Sequence, residues 1–170
     1  MLIIAKFGGS SLATSKQFKK VKSIILKDPD RRVVVASALG KTDDLDNKVT
    51  DLLYLLHAHI KYGVAYDQVF ELIKERYLKV KEELKLTYDI EGAFKDLKAS
   101  LNKQMSIDAL ASRGEYFSAQ LLAEYIGYTF VDAKDVLKFK YDSQIDYDAS
   151  QVLFSNALEA HGKIVVPGFY

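Results

Sequence analysis

Apolar residues follow two rhythms along this chain. Leu2 to Phe7 is a short apolar run that suits a buried strand, Val33 to Ala36 lacks polar alternation as a strand covered on both faces of a parallel sheet requires, and Tyr128 to Val131 and Lys163 to Val166 also read as strands. Between them the spacing is helical. Phe18, Val21, Ile24 and Ile25 predict a helix that Thr14 or Ser15 can cap and that Asp28-Pro29-Asp30 stops. From Asp43 to about Leu101 the helical rhythm is continuous, through Val49, Leu52, Leu53 and Leu56 and then Val69, Leu72, Ile73 and Tyr77, with breaks expected at Gly63 and at Leu86-Thr87-Tyr88. Further helices are expected over Ile107 to Tyr125, ending at Gly127 in the position that favours a left-handed cap, and over Ala149 to Ala160.

Strands alternating with helices give an α/β fold with a mainly parallel sheet, carrying a mostly helical excursion at about 43–105. The first strand, helix and second strand form a βαβ unit. Its crossover is right-handed and puts both strand ends on one sheet edge, so the loops at 7–11 and 37–43 are expected to be neighbours. The last strand runs into Pro167-Gly168-Phe169-Tyr170, a turn that ordinarily feeds another element. The sequence is therefore expected to be part of a larger α/β domain.

Composition narrows the function classes. Lys and Arg total 24 against 23 for Asp and Glu, so nothing in the balance calls for a nucleic acid or other polyanion. The absence of cysteine removes disulfides, thiolate catalysis and cysteine-held metals. A cytoplasmic location fits the absence of cysteine, and no membrane contact is expected, since no apolar stretch is long enough for a membrane helix and Leu2 to Ala5 is too short for a signal segment. His57 and His59 point to different faces of one helix, and with His161 they make no metal-binding spacing. All three histidines read as structural. Tyr62, Tyr66, Phe70 and Tyr77 read as core or rim, and the charged run Lys79 to Lys85 as a solvated helix face.

Candidate chemistry lies in three places. Lys6-Phe7-Gly8-Gly9-Ser10-Ser11 follows a strand and precedes a helix, where paired glycines and a helix N-terminus can cradle phosphate. The same string also suits an ordinary strand-to-helix turn, and it matches neither common nucleotide fingerprint because Lys6 precedes the glycines. Lys6 itself either snorkels to the strand end or aims a compact charge at phosphoryl oxygens. The second loop, Ser37-Ala38-Leu39-Gly40-Lys41-Thr42-Asp43-Asp44, offers hydroxyls at Ser37 and Thr42 and close approach at Gly40, while Asp43 or Asp44 can cap the next helix. The third is Ser112-Arg113-Gly114-Glu115, where a glycine inside a helix marks close packing or ligand access, and Arg113 and Glu115 are either site residues or a solvated pair at a kink.

Taken together, these three segments and Val165-Val166-Pro167-Gly168-Phe169 resemble the aspartokinase family in order and spacing across the whole chain. The resemblance implies a three-layer αβα sandwich of the amino-acid kinase type, here truncated to its N-terminal, substrate-binding part. It implies ATP-dependent phosphorylation of the side-chain carboxylate of L-aspartate, the first step toward lysine, threonine and methionine. By resemblance, Lys6 neutralises charge on the transferring phosphoryl group, and the backbone or hydroxyl donors of Phe7, Gly8, Gly9 and Ser10 hold ATP phosphates. Ser37, Thr42, Arg113 and Glu115 bind substrate, with Glu115 on its amino group. Mg²⁺ is held mainly by ATP phosphates and needs no dedicated protein ligands.

The family usually has threonine at Ser10 and often serine at Ala36. Its members continue with a nucleotide-binding half and regulatory ACT domains, so these 170 residues alone are expected to lack turnover, and the full-length protein to be a homo-oligomer. Acetylglutamate and glutamate 5-kinases of the same fold, and a non-catalytic module for small acids, are the alternative readings.

Overall fold

The computed structural model describes residues 1–169. Strand β1 (Ile3–Phe7) turns through one turn of 3-10 helix at Gly9–Leu12 into helix α1 (Ser15–Leu26), and β2 (Arg31–Ala36) follows. Four helices come next: α2 (Val49–Tyr62), α3 (Asp67–Leu84), α4 (Ile90–Ser100) and α5 (Ile107–Ile126). The short strand β3 (Thr129–Phe130), helices α6 (Ala133–Val136) and α7 (Tyr147–His161), and strand β4 (Ile164–Pro167) complete the order.

The sheet is wholly parallel, in the order β1-β2-β4-β3. The chain moves one way from β1 to β2 and the opposite way from β3 back to β4. Since crossovers are right-handed, the helices of these two connections must lie on opposite faces. They do. Phe7, Val34, Ala36 and Val165 face the main core with α1 to α5, whereas Val33, Ile164 and Val166 face a second core built by Val131, Ala133, Val136 and Leu158 around α6 and α7. This is a three-layer αβα sandwich, with α2 to α4 stacked outside α5.

The expectation of a strand covered on both faces holds for β2, whereas β1, expected to be buried, is covered on one face only. Leu2, Ile4 and Lys6 remain exposed because α6 and α7 pack over the other end of the sheet. The helical stretch expected from Asp43 begins only at Val49. Asp43 spends its carboxylate on the Leu45 amide at 2.9 Å, and neither it nor Asp44 caps α2, whose first position Lys48 gives no side-chain cap. Thr14 does cap α1, accepting from the Gln17 amide, and Gly63 and Gly127 end α2 and α5 in the left-handed conformation.

An aromatic cluster ties the excursion to α5. Phe94 stacks on Phe117 with centroids 4.4 Å apart and meets Phe70 edge-on at 5.7 Å. Tyr77, fully buried, donates its hydroxyl to the Gly114 carbonyl at 2.8 Å. A buried tyrosine needs such a partner for its polar end, and this one fixes α3 against the middle of α5.

Candidate active site

The loops that leave β1 and β2 meet, as the right-handed crossover requires. The Gly40 amide donates to the Gly9 carbonyl at 2.9 Å, and the Ser37 amide to the Phe7 carbonyl at 3.1 Å. A Cβ at Gly40 would sit 2.4 Å from the Gly9 carbonyl carbon, a backbone contact that no side chain permits. The close approach available at Gly40 is thus used by the glycine loop itself. Together the two loops border a cleft of about 560 Å³ lined by Gly9, Ser10, Ser37 to Lys41, Lys48, Thr50 and Asp51.

Helix α5 passes under this junction. A Cβ at Gly114 would lie 2.8 Å from the Ala38 Cβ and 3.1 Å from Leu53 Cδ1. Gly114 therefore serves close packing, and α5 runs through it without a break. The next residue, Glu115, is only 8% exposed, and its Oε2 is buried with no hydrogen-bond partner. Burial pushes its carboxyl above the ordinary range, opposed incompletely by the Ala38 amide, its own amide and the charge of Lys6. A buried carboxylate with an unpaired oxygen costs stability unless a cationic donor is brought to it.

Lys6 stands exposed near the end of β1, where its charge acts on Glu115. Phe7 is buried in the main core, so any role toward a ligand is left to its backbone. Gly8 opens on empty space, with nothing within 4 Å of a Cβ placed there. Ser10 lies exposed on the 3-10 turn, and Ser37 is half-buried at the end of β2.

Thr42 is exposed but already engaged. Its amide and hydroxyl both donate to Asp46 Oδ2, at 2.8 and 2.9 Å. The same carboxylate oxygen is 2.7 Å from Arg76 of α3, whose guanidinium also donates to the Gly40 carbonyl at 2.6 Å and the Asn47 carbonyl at 3.1 Å. Burial raises the Asp46 carboxyl, but the Thr42 amide and hydroxyl, the Asn47 amide and the Arg76 charge outweigh it and leave the group below its ordinary value. Sequence reasoning missed Asp46 and Arg76, because one arginine in a Lys- and Glu-rich helix looks like any solvated position.

Arg113 is not brought to the cleft. Two positions from Glu115 on a helix, it points to a different side, where it lies over the Tyr116 ring at 4.7 Å and lines a hollow with Asp96 and Ser100. His57 and His59 bond the carbonyls of Met105 and Ala65, at 3.0 and 2.8 Å, in keeping with structural roles.

A parallel sheet whose strand ends carry two interlocked small-residue loops above a buried carboxylate is the arrangement in which α/β domains hold small ligands, at the C-terminal edge of the sheet. The chain belongs to the amino acid kinase family, whose pattern matches residues 1–170. Aspartokinase 3 of Bacillus subtilis (strain 168) is 34% identical to it over 182 residues, covering 98% of this chain and 40% of the relative. The chloroplastic aspartokinase 2 of Arabidopsis thaliana is 35% identical over 136 residues, covering 72% of the chain and 24% of the relative.

Among solved structures, the aspartate kinase of Clostridium acetobutylicum superposes with a TM-score of 0.94 at 42% identity, over 99% of this chain and 39% of that one. Aspartokinase III of E. coli in complex with aspartate and ADP, at 22% identity and a TM-score of 0.79 over 99% of this chain and 40% of that one, shares the fold. The chain spans about two fifths of the length of Aspartokinase 3 and of these two solved proteins.

Proposed function

We propose that the chain is the N-terminal, substrate-binding part of an aspartate kinase. In this reading a side-chain carboxylate oxygen of L-aspartate attacks the γ-phosphorus of ATP, the bond to ADP breaks, and 4-phospho-L-aspartate forms. The observation that carries the reading is the unpaired, buried Oε2 of Glu115 beneath the loop junction. An acceptor held there without a partner suits the ammonium of an amino acid, and the aspartate kinases among the similar proteins supply the substrate class.

Lys6 would offset negative charge on the transferring phosphoryl group, with the open backbone at Gly8 and the donors of Gly9 and Ser10 approaching ATP phosphates. Ser37 would meet L-aspartate as a hydroxyl donor. Thr42 would contribute its oxygen rather than its proton, because its hydroxyl hydrogen is directed to Asp46. Arg113 would act by packing on Tyr116 rather than on substrate. Mg²⁺ would enter with the nucleotide, held by phosphate oxygens, and would spread the charge of the transferred group.

The reading places the nucleotide-binding half and ACT domains outside these residues, the whole protein in the cytoplasm as a homo-oligomer, and the product on the route to lysine, threonine and methionine. No helix among the described residues is long and apolar enough to cross a membrane.

The test is ADP release by the full-length gene product with L-aspartate, L-glutamate or N-acetyl-L-glutamate as acceptor. Turnover with L-aspartate alone supports the proposal, and turnover with either of the others in its place assigns the chain to a sibling kinase. Titration of the 170-residue chain with L-aspartate and D-aspartate then shows whether the substrate half-site forms by itself.

A further inference from the structure

We propose that Arg76 is the positioning residue of the substrate loop, acting through Asp46 on Thr42 and directly on the Gly40 carbonyl. The helical excursion would thereby hold the active-site loop in its binding geometry. For its substrate the proposal rests on the aspartate kinase reading above; for its geometry it does not.

The placement of Arg76 is fixed by its neighbours. Ile73 and Tyr77 on the same helix are buried in the main core, and the Tyr77 hydroxyl is anchored on the Gly114 carbonyl at 2.8 Å. With α3 so held, Arg76 reaches the loop at two separated places, the carbonyls of Gly40 and Asn47, and pairs with Asp46 between them. The contacts are sheltered, with the two side chains 16% and 22% exposed. Asp46 passes the constraint on, since the oxygen that meets Arg76 also accepts both Thr42 donors.

The Gly40 amide is bonded to the Gly9 carbonyl, so the junction with the glycine loop stays held without Arg76, and it is the segment beyond Gly40 that depends on the guanidinium. Only a planar guanidinium has enough donors in fixed directions to serve two carbonyls and a carboxylate together. A lysine ammonium is a point charge on a flexible stem and cannot span them. Removing the fork leaves two carbonyls without their side-chain donor and the Asp46 carboxylate without its cation, and the loop between Gly40 and Asn47 loses its tie to the excursion.

The experiment is steady-state kinetics of the full-length gene product carrying R76Q, R76K, D46N or R76Q with D46N. We expect R76Q to raise KM for L-aspartate about tenfold or more, the scale of losing hydrogen bonds to a charged group, while KM for ATP stays within about twofold. R76K should fail to rescue, D46N should show a smaller rise, and the double variant should be no worse than R76Q, because residues in one network are not additive.

An unchanged KM for L-aspartate in R76Q, an equal rise in KM for ATP, or multiplying effects in the double variant overturns the proposal. Should R76Q not fold, D46N and R76K decide by the same criteria. If the wild-type protein phosphorylates no L-aspartate, it is the functional reading that fails. The clamp is then read from amide exchange over Leu39 to Asn47, which quickens in R76Q or D46N if the clamp exists and is unchanged if it does not.

Discussion

Replacing Gly114 with alanine pits two physical effects of opposite sign against each other. On helix propensity alone the change is favourable by about 1 kcal/mol, since glycine in a helix interior is that much worse than alanine. Packing says otherwise. The new Cβ would lie 2.8 Å from the Ala38 Cβ and 3.1 Å from Leu53 Cδ1, and overfilling a packed core costs about 1–3 kcal/mol. Relief by movement of Ala38 is limited on both sides. The Val49 amide holds the Leu39 carbonyl at 3.1 Å, the Gly40 amide is bonded to Gly9, and Arg76 grips the Gly40 carbonyl.

The upper part of that range therefore applies, and G114A should be net destabilising by about 1–2 kcal/mol. At this chain length that lowers Tm by roughly 2–8 °C. Because Ala38 is the group displaced and its amide faces Glu115, affinity for L-aspartate should fall as well. The assay is thermal and urea denaturation of wild type, G114A, A38G and the double variant. Deleting the opposing methyl should restore G114A, giving a favourable coupling of about 1–2 kcal/mol in the cycle. A G114A protein that melts higher than wild type, or four stabilities that simply add, would refute the close-packing argument.

Glu115 has its folded pKa above the ordinary 4.5, so the stability linked to its neutral form is complete below 4.5 and declines as pH rises through the folded value; the advantage of E115Q over wild type in urea denaturation should grow across that window and then level off. F94A should cost about 3–5 kcal/mol in the same measurement, since Phe94 is 1% exposed and joins Phe70, Tyr77 and Phe117 in one cluster.

Local physics made most of the architecture legible. The β-branched runs became β2 and β4, the helical rhythm broke at Gly63 and Gly127, and the handedness of the first crossover put Gly9 beside Gly40. What the sequence could not show depends on partners distant along the chain. The exposure of Ile4, at 60%, follows from where α6 and α7 happen to pack, not from Ile4 or its neighbours. Asp43 looked like a cap, but a short polar loop offers its carboxylate a nearer amide at Leu45. The divergence of Arg113 from Glu115 was implicit in helix geometry; only the position of Ala38 over Gly114 decides which of the two lies against the loop after β2. Arg76 carried no local signal at all, since its meaning lies in carbonyls 29 and 36 positions away.

The unpaired oxygen of Glu115 leads to a test of what the site is built to bind. Natural cores rarely leave a buried carboxylate oxygen without a donor, and here burial also raises the group's pKa. A ligand that brings an ammonium to Oε2 removes that cost on binding, whereas one that brings only carboxylates adds negative charge beside it. L-Aspartate and succinate differ in just this respect: both carry two carboxylates on the same carbon spacing, and only L-aspartate has the amine. L-Aspartate at 100 times its Kd should stabilise the protein by about 2.7 kcal/mol, while equal succinate should leave Tm unchanged. In E115Q the difference between the two ligands should shrink, because the neutral amide keeps the shape and loses the charge that selects the ammonium. Equal stabilisation of wild type by both ligands would mean that Glu115 does not face the amino group, and its buried charge would then need another partner.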